Sequence, residues 1–121
     1  MSWKFNSHAP VSLQIVGKLR SDIILGKYAP GQQFPTVRQI AFEASVNPNT
    51  MQKALWQLEI EGLLINKGTI GRFVTSDVAI IEQMRTNICR TYMTDVLRQA
   101  NEMGISKEDF IKFIKESEDI Q

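Results

Sequence analysis

The spacing of two helix-start signals constrains this chain more than any other feature. Thr36-Val37-Arg38-Gln39 reads as a capping box, with the Thr36 hydroxyl accepting from the amide of Gln39 and the Gln39 side chain reaching back to the amide of Thr36. Asn47-Pro48 then restarts a helix: Asn caps it, and Pro at the first helical position sacrifices no bond, because that amide has no helical partner anyway. The break spans only Ser45 to Asn47. Two helices joined by so short a turn, the second polar on one side, form a helix-turn-helix.

Apolar periodicity assigns the faces. In the first of these helices Val37, Ile40, Ala41 and Ala44 point inward. In the second, Met51, Ala54, Leu55 and Leu58 share one arc, while Asn49, Gln52, Lys53 and Trp56 centre on the opposite side. Gly62 ends that helix. Leu63-Leu64-Ile65 and Arg72-Phe73-Val74-Thr75 are β-prone around the turn-rich Asn66 to Gly71, which predicts a hairpin, or wing. Upstream, Ile15, Val16, Leu19, Ile23 and Ile24 predict an amphipathic helix from Pro10 to Leu25. Pro30-Gly31 marks a turn, and Gln32 to Phe34 a short extended segment. Downstream, Ser76-Asp77 can cap a long helix carrying Ile81, Met84, Ile88, Tyr92 and Val96 until Gly104. Ser106 opens a last helix with Phe110, Ile111, Phe113 and Ile114 on its apolar face.

The predicted fold is therefore mainly α with a small β-hairpin: a winged helix-turn-helix head over residues 10–75 and a two-helix tail over 76–121. A chain of 121 residues closes one modest core with an appended helical piece, which leaves little room for a large effector pocket. No run reaches the roughly 18 apolar residues of a membrane span, and the first residues lack an apolar signal stretch, so a soluble cytoplasmic protein is expected. Charge is uneven: residues 1–75 hold eight Lys or Arg against four Asp or Glu, and residues 76–121 hold six against nine. The basic excess lies in the head, as it would if only the head faced a polyanion. Cys89 is the single cysteine and cannot form an internal disulfide; it is expected at an apolar helix position rather than as a redox sensor.

The run Pro30-Gly31, Phe34 to Ala41, Val46 to Met51, Ala54-Leu55, Leu58 to Leu64, Gly68 and Gly71 to Val74 resembles the DNA-binding head of the GntR family of bacterial transcription regulators. The short tail and Val46-Asn47-Pro48-Asn49-Thr50 resemble its YtrA-type subfamily. That resemblance implies a helical dimerisation tail, and genes placed beside transporter operons. Many relatives carry Arg where this chain has Pro48 and Gln52, which implies a different operator preference.

On this reading the partners are double-stranded DNA and a second copy of the chain, and the protein is a regulator, expected to repress from a palindromic operator. Arg38 would meet a phosphate or base edge. Asn49 and Gln52 carry amides able to pair bidentately with adenine, and Lys53 would neutralise a phosphate. Thr50 can reach a phosphate or satisfy the helix start, and Asn47 joins the DNA-facing set. In the wing, Gly71 would allow close backbone approach to the minor groove with Lys67 and Arg72 beside it, or the glycines would simply make the turn. Trp56 and Ile60 are expected to pack against the wing, the first helix or a partner rather than on bases. Ile81, Met84, Ile88, Tyr92, Phe110, Phe113 and Ile114 are expected to form the dimer seam. His8 alone offers no histidine cluster, so neither metal nor cofactor is expected, and no catalytic constellation points to an enzyme. A small-molecule effector is left open, with no ligand named. The competing reading is a winged helix that binds protein instead of DNA.

Overall fold

The first helix, α1 (Val11–Ile24), forms where the apolar stripe demands it and buries Ile15, Val16, Leu19, Ile23 and Ile24. In this computed structural model, which describes residues 3–117, it is followed by α2 (Val37–Ala44), α3 (Pro48–Ile60), β1 (Leu64–Asn66), β2 (Arg72–Val74), α4 (Val78–Glu102) and α5 (Lys107–Glu116). Residues 118–121, the end of the expected tail, lie outside the described residues. The chain divides into two compact units between Met84 and Arg85.

In the first unit α1 and α2 both pack on α3. Ile40, Ala41 and Ala44 meet Met51, Ala54, Leu55 and Leu58, and Leu63, Leu64 and Val74 close the core from the hairpin side. Each of the larger side chains among them, the Ile, Leu, Val and Met, contributes roughly 1.5–3 kcal/mol when withdrawn from water. Strands β1 and β2 pair antiparallel, with Leu64 opposite Val74 and Asn66 opposite Arg72. The extended segment after Pro30-Gly31 adds a further rung on β2: Gln33 bridges Phe73, Phe34 N–H donates to Arg72 O at 2.7 Å, and Val74 N–H donates to Gln32 O at 2.9 Å. Trp3 and Phe5 also pack against this core, although they carry no periodic signal.

The helix-turn-helix joint is tight because Ser45 takes a left-handed conformation, φ 58° and ψ 44°, while Val46 N–H returns to Ala41 O at 3.0 Å. After β2, Thr75 N–H donates to Leu63 O, and Asp77 rather than Ser76 receives the Ala79 amide at the start of α4. This turn lays the first residues of α4 on the head. Ile81 is only 5% exposed within the head core, and Met84 packs beside it. Two side chains expected in the dimer seam are thus taken up by the head, whose compact unit continues past Thr75 to Met84.

The second unit holds the remainder of α4 and α5. The Ser106 hydroxyl accepts from Asp109 N–H at 3.1 Å, and Glu108 and Asp109 occupy the first turn, where the helix dipole favours negative charge. Ala100 is buried, Ile88 and Phe110 are half-buried, and Tyr92, Met93, Val96, Phe113 and Ile114 are exposed. Cys89 is exposed too, which corrects the apolar placement expected for it. Among the described residues no helix is long and apolar enough to cross a membrane.

Candidate nucleic-acid interface

Both helices of the motif start as their sequences dictate. Thr36 Oγ1 accepts from Gln39 N–H at 3.2 Å and Gln39 Oε1 accepts from Thr36 N–H at 2.8 Å, completing the capping box. Asn47 Oδ1 accepts from Asn49 N–H at 2.7 Å, with Pro48 at the first helical position. The Asn47 side-chain oxygen is therefore taken by the cap, which fixes where α3 begins. Arg38, Asn49 and Lys53 are exposed, and Thr50 is half-exposed. Together they line the start of α2 and the first turns of α3, where helix ends direct amide donors outward and basic side chains can neutralise phosphate.

The wing is built from the inside. Asn66 Oδ1 accepts from Gly68 N–H at 2.9 Å, a single 3-10 turn covers Gly68–Ile70, and Lys67 N–H donates to Gly71 O at 2.8 Å. Gly71 has φ 116° and ψ −169°, a region open essentially to glycine alone, and a Cβ there would stand 2.9 Å from Gln33 Nε2. Gln33 Nε2 in turn donates to Ile70 O at 3.0 Å, so the tip is braced from the segment before α2. The turn-making role weighed for Gly71 thus has a direct physical basis. Lys67 is exposed and its Nζ lies 4.6 Å from the Phe73 ring centre.

Arg72 lies elsewhere than at the wing tip. Its Nε donates to Glu59 Oε1 at 2.9 Å, and the side chain is 13% exposed. The Gln52 amide is oriented by its surroundings: with the oxygen turned toward the two donors beside it, Oε1 accepts from Arg72 Nη2 at 2.6 Å and from Trp56 Nε1 at 2.6 Å. Gln52, Trp56, Glu59 and Arg72 therefore form one polar chain joining α3 to β2. Trp56 is 53% exposed and Ile60 79% exposed. Glu59 was not among the expected site residues. It was visible in principle, since positions 52, 56 and 59 recur at helical spacing along one face.

The family described as bacterial regulatory proteins, gntR family, matches residues 11–74. A relative from Bacillus subtilis (strain 168), the HTH-type transcriptional repressor YtrA, is 28% identical over 112 residues, covering 91% of this chain and 85% of that protein. The solved structure of a GntR family transcriptional regulator from Listeria monocytogenes superposes with a TM-score of 0.86 at 30% identity, covering 94% of this chain and 100% of that one. The crystal structure of AraR(DBD) in complex with operator ORX1 superposes with a TM-score of 0.56 at 26% identity, covering 62% of this chain and 95% of that one.

Proposed function

We propose that this chain, which belongs to the GntR family of bacterial regulatory proteins, represses transcription by binding a palindromic operator as a homodimer. Its class is that of a DNA-binding transcription regulator with a winged helix-turn-helix, and the relatives are named as regulators rather than enzymes. The finer reading places α3 in the major groove and the wing alongside. The observation that carries it is a set of exposed polar side chains at two capped helix starts: Arg38 on α2, and Asn49 and Lys53 on the side of α3 opposite its buried arc. Repression is supported by the name of the B. subtilis relative, and a transporter operon as target by the YtrA-type resemblance.

Dimerisation follows from information content as well as from surface. One head reads too few base pairs for genomic selectivity, so two heads on half-sites about one helical turn apart, or a multiple of it, are needed. Tyr92, Val96, Phe113 and Ile114 leave apolar area exposed in the second unit, suited to a second copy of the same helices. Ile88 and Phe110, half-buried, complete that seam, whereas Ile81 and Met84 serve the head.

The test is selection of random duplex DNA by the purified full chain, followed by sequencing. Enrichment of a two-fold symmetric site is expected. No enrichment at any salt concentration would overturn the reading in favour of a protein-binding winged helix.

A further inference from the structure

We infer that Gln52 is a donor-only reader that selects guanine rather than adenine, because Arg72 and Trp56 together occupy its carbonyl oxygen. The inference rests on the DNA-binding reading above and specifies the base class met by one position of α3. A free glutamine amide matches adenine bidentately, its oxygen accepting from N6–H and its nitrogen donating to N7. In this chain that oxygen is already engaged. An amide oxygen has two lone pairs, and with the Gln52 amide turned so that its oxygen rather than its NH2 faces the two donors, Oε1 accepts from both Arg72 Nη2 and Trp56 Nε1, each at 2.6 Å.

The remaining hydrogen-bonding group is the NH2, which only donates. In the major groove guanine presents two adjacent acceptors, N7 and O6. Adenine presents one acceptor beside a donor, and cytosine a donor alone. A donor-only group therefore gains most at guanine and least at cytosine, and loses the second bond that would favour adenine. Gln52 is the fifth residue of α3, within the N-terminal part of a recognition helix that meets base edges.

Arg72 is held for this task by Glu59, whose Oε1 accepts from its Nε at 2.9 Å. Arg72, Trp56 and Glu59 are positioning residues: they act through the orientation of the Gln52 amide. Rotating the amide would place its NH2 against two donors, so the arrangement is locked while both donors remain.

The test measures binding of the full chain to four versions of its selected operator, differing at the base pair whose preference Gln52→Ala abolishes. Wild type is expected to favour guanine over adenine there by about tenfold. Trp56→Phe keeps an exposed ring and removes one donor; Arg72→Met keeps an unbranched stem and removes the other. Each is expected to narrow that ratio, and the pair together to move the preference toward adenine, while preferences at other base pairs stay as in wild type. An adenine preference in wild type, a ratio unchanged in Trp56→Phe, or no base pair that depends on Gln52 would each overturn the inference while leaving DNA binding intact. A wild-type chain that enriches no DNA sequence would instead overturn the functional reading beneath it.

Discussion

Arg20 on α1 grips Glu61, just past the end of α3, with both prongs of its guanidinium: Nε donates to Oε1 at 2.8 Å and Nη2 to Oε2 at 2.7 Å. Gln57 Nε2 adds a third bond, to Oε2 at 3.0 Å. The pair is 27% and 14% exposed and anchors the recognition helix at the end opposite its cap. Burial alone would raise the Glu61 pKa, but the hydrogen bonds from Arg20 and Gln57 and the charge of Arg20 outweigh it and hold the carboxyl below its usual range. A depressed folded pKa means stabilisation that is complete above the unfolded value of about 4.3 and lost as pH falls through the lower folded value. Arg20→Ala should cost about 1.5–3 kcal/mol at neutral pH and flatten the acid limb of the stability profile. Urea denaturation across the acid range checks both; an acid limb as steep as that of wild type would contradict the assignment.

Removing either cap should weaken the head without unfolding it. Thr36→Ala and Asn47→Ala are each expected to cost about 0.5–2 kcal/mol, and Thr36→Ser little, because the serine hydroxyl can accept the same Gln39 amide. Thermal melts of the three variants provide the comparison.

At the wing tip, Gly71→Ala introduces both an unfavourable backbone conformation and a 2.9 Å approach to Gln33 Nε2. A loss of about 1–3 kcal/mol is expected. Adding Gln33→Ala should recover only the steric share, so the double variant should remain less stable than Gln33→Ala alone by chemical denaturation.

Phosphate contacts announce themselves in salt dependence. If Arg38 and Lys53 each neutralise one phosphate, Arg38→Ala and Lys53→Ala should each make the slope of log affinity against log salt shallower by about 0.9, without a change of preferred operator. Gel shifts at several salt concentrations give the slope, and an unchanged slope removes that residue from the interface.

The exposed apolar residues of the second unit can be tested by charge. Tyr92→Asp with Phe113→Asp should convert a dimer to a monomer in analytical ultracentrifugation and weaken operator binding by at least about tenfold, through loss of the second half-site. A stable dimer in this variant would place the seam elsewhere.

The three head helices were legible in the sequence because their determinants are local. The Thr36 box, the Asn47-Pro48 restart and the buried arc of Met51, Ala54, Leu55 and Leu58 each depend on residues a turn or two apart. What escaped was set by distant partners. Ile81 reads as one more position in a helical stripe, and only the turn through Thr75 and Asp77 delivers it to the head core. Arg72 reads as a wing cation until Glu59, far back along α3, draws it inward, and the orientation of the Gln52 amide needs donors from two separate elements. Trp3 and Phe5 escaped for want of any repeating pattern around them.

The start of α3 separates the residues that hold the helix from those that face outward. Asn47 and Pro48 fix its first turn, and the buried arc fixes its rotation, so Asn49 and Lys53 carry almost no structural duty. Exchanges at these two positions should be nearly neutral for folding, which leaves selection free to retune them for new target sites. Position 52 is different: tied to Arg72 and Trp56, it can change its preference only together with its neighbours, and so should drift more slowly as such regulators diverge.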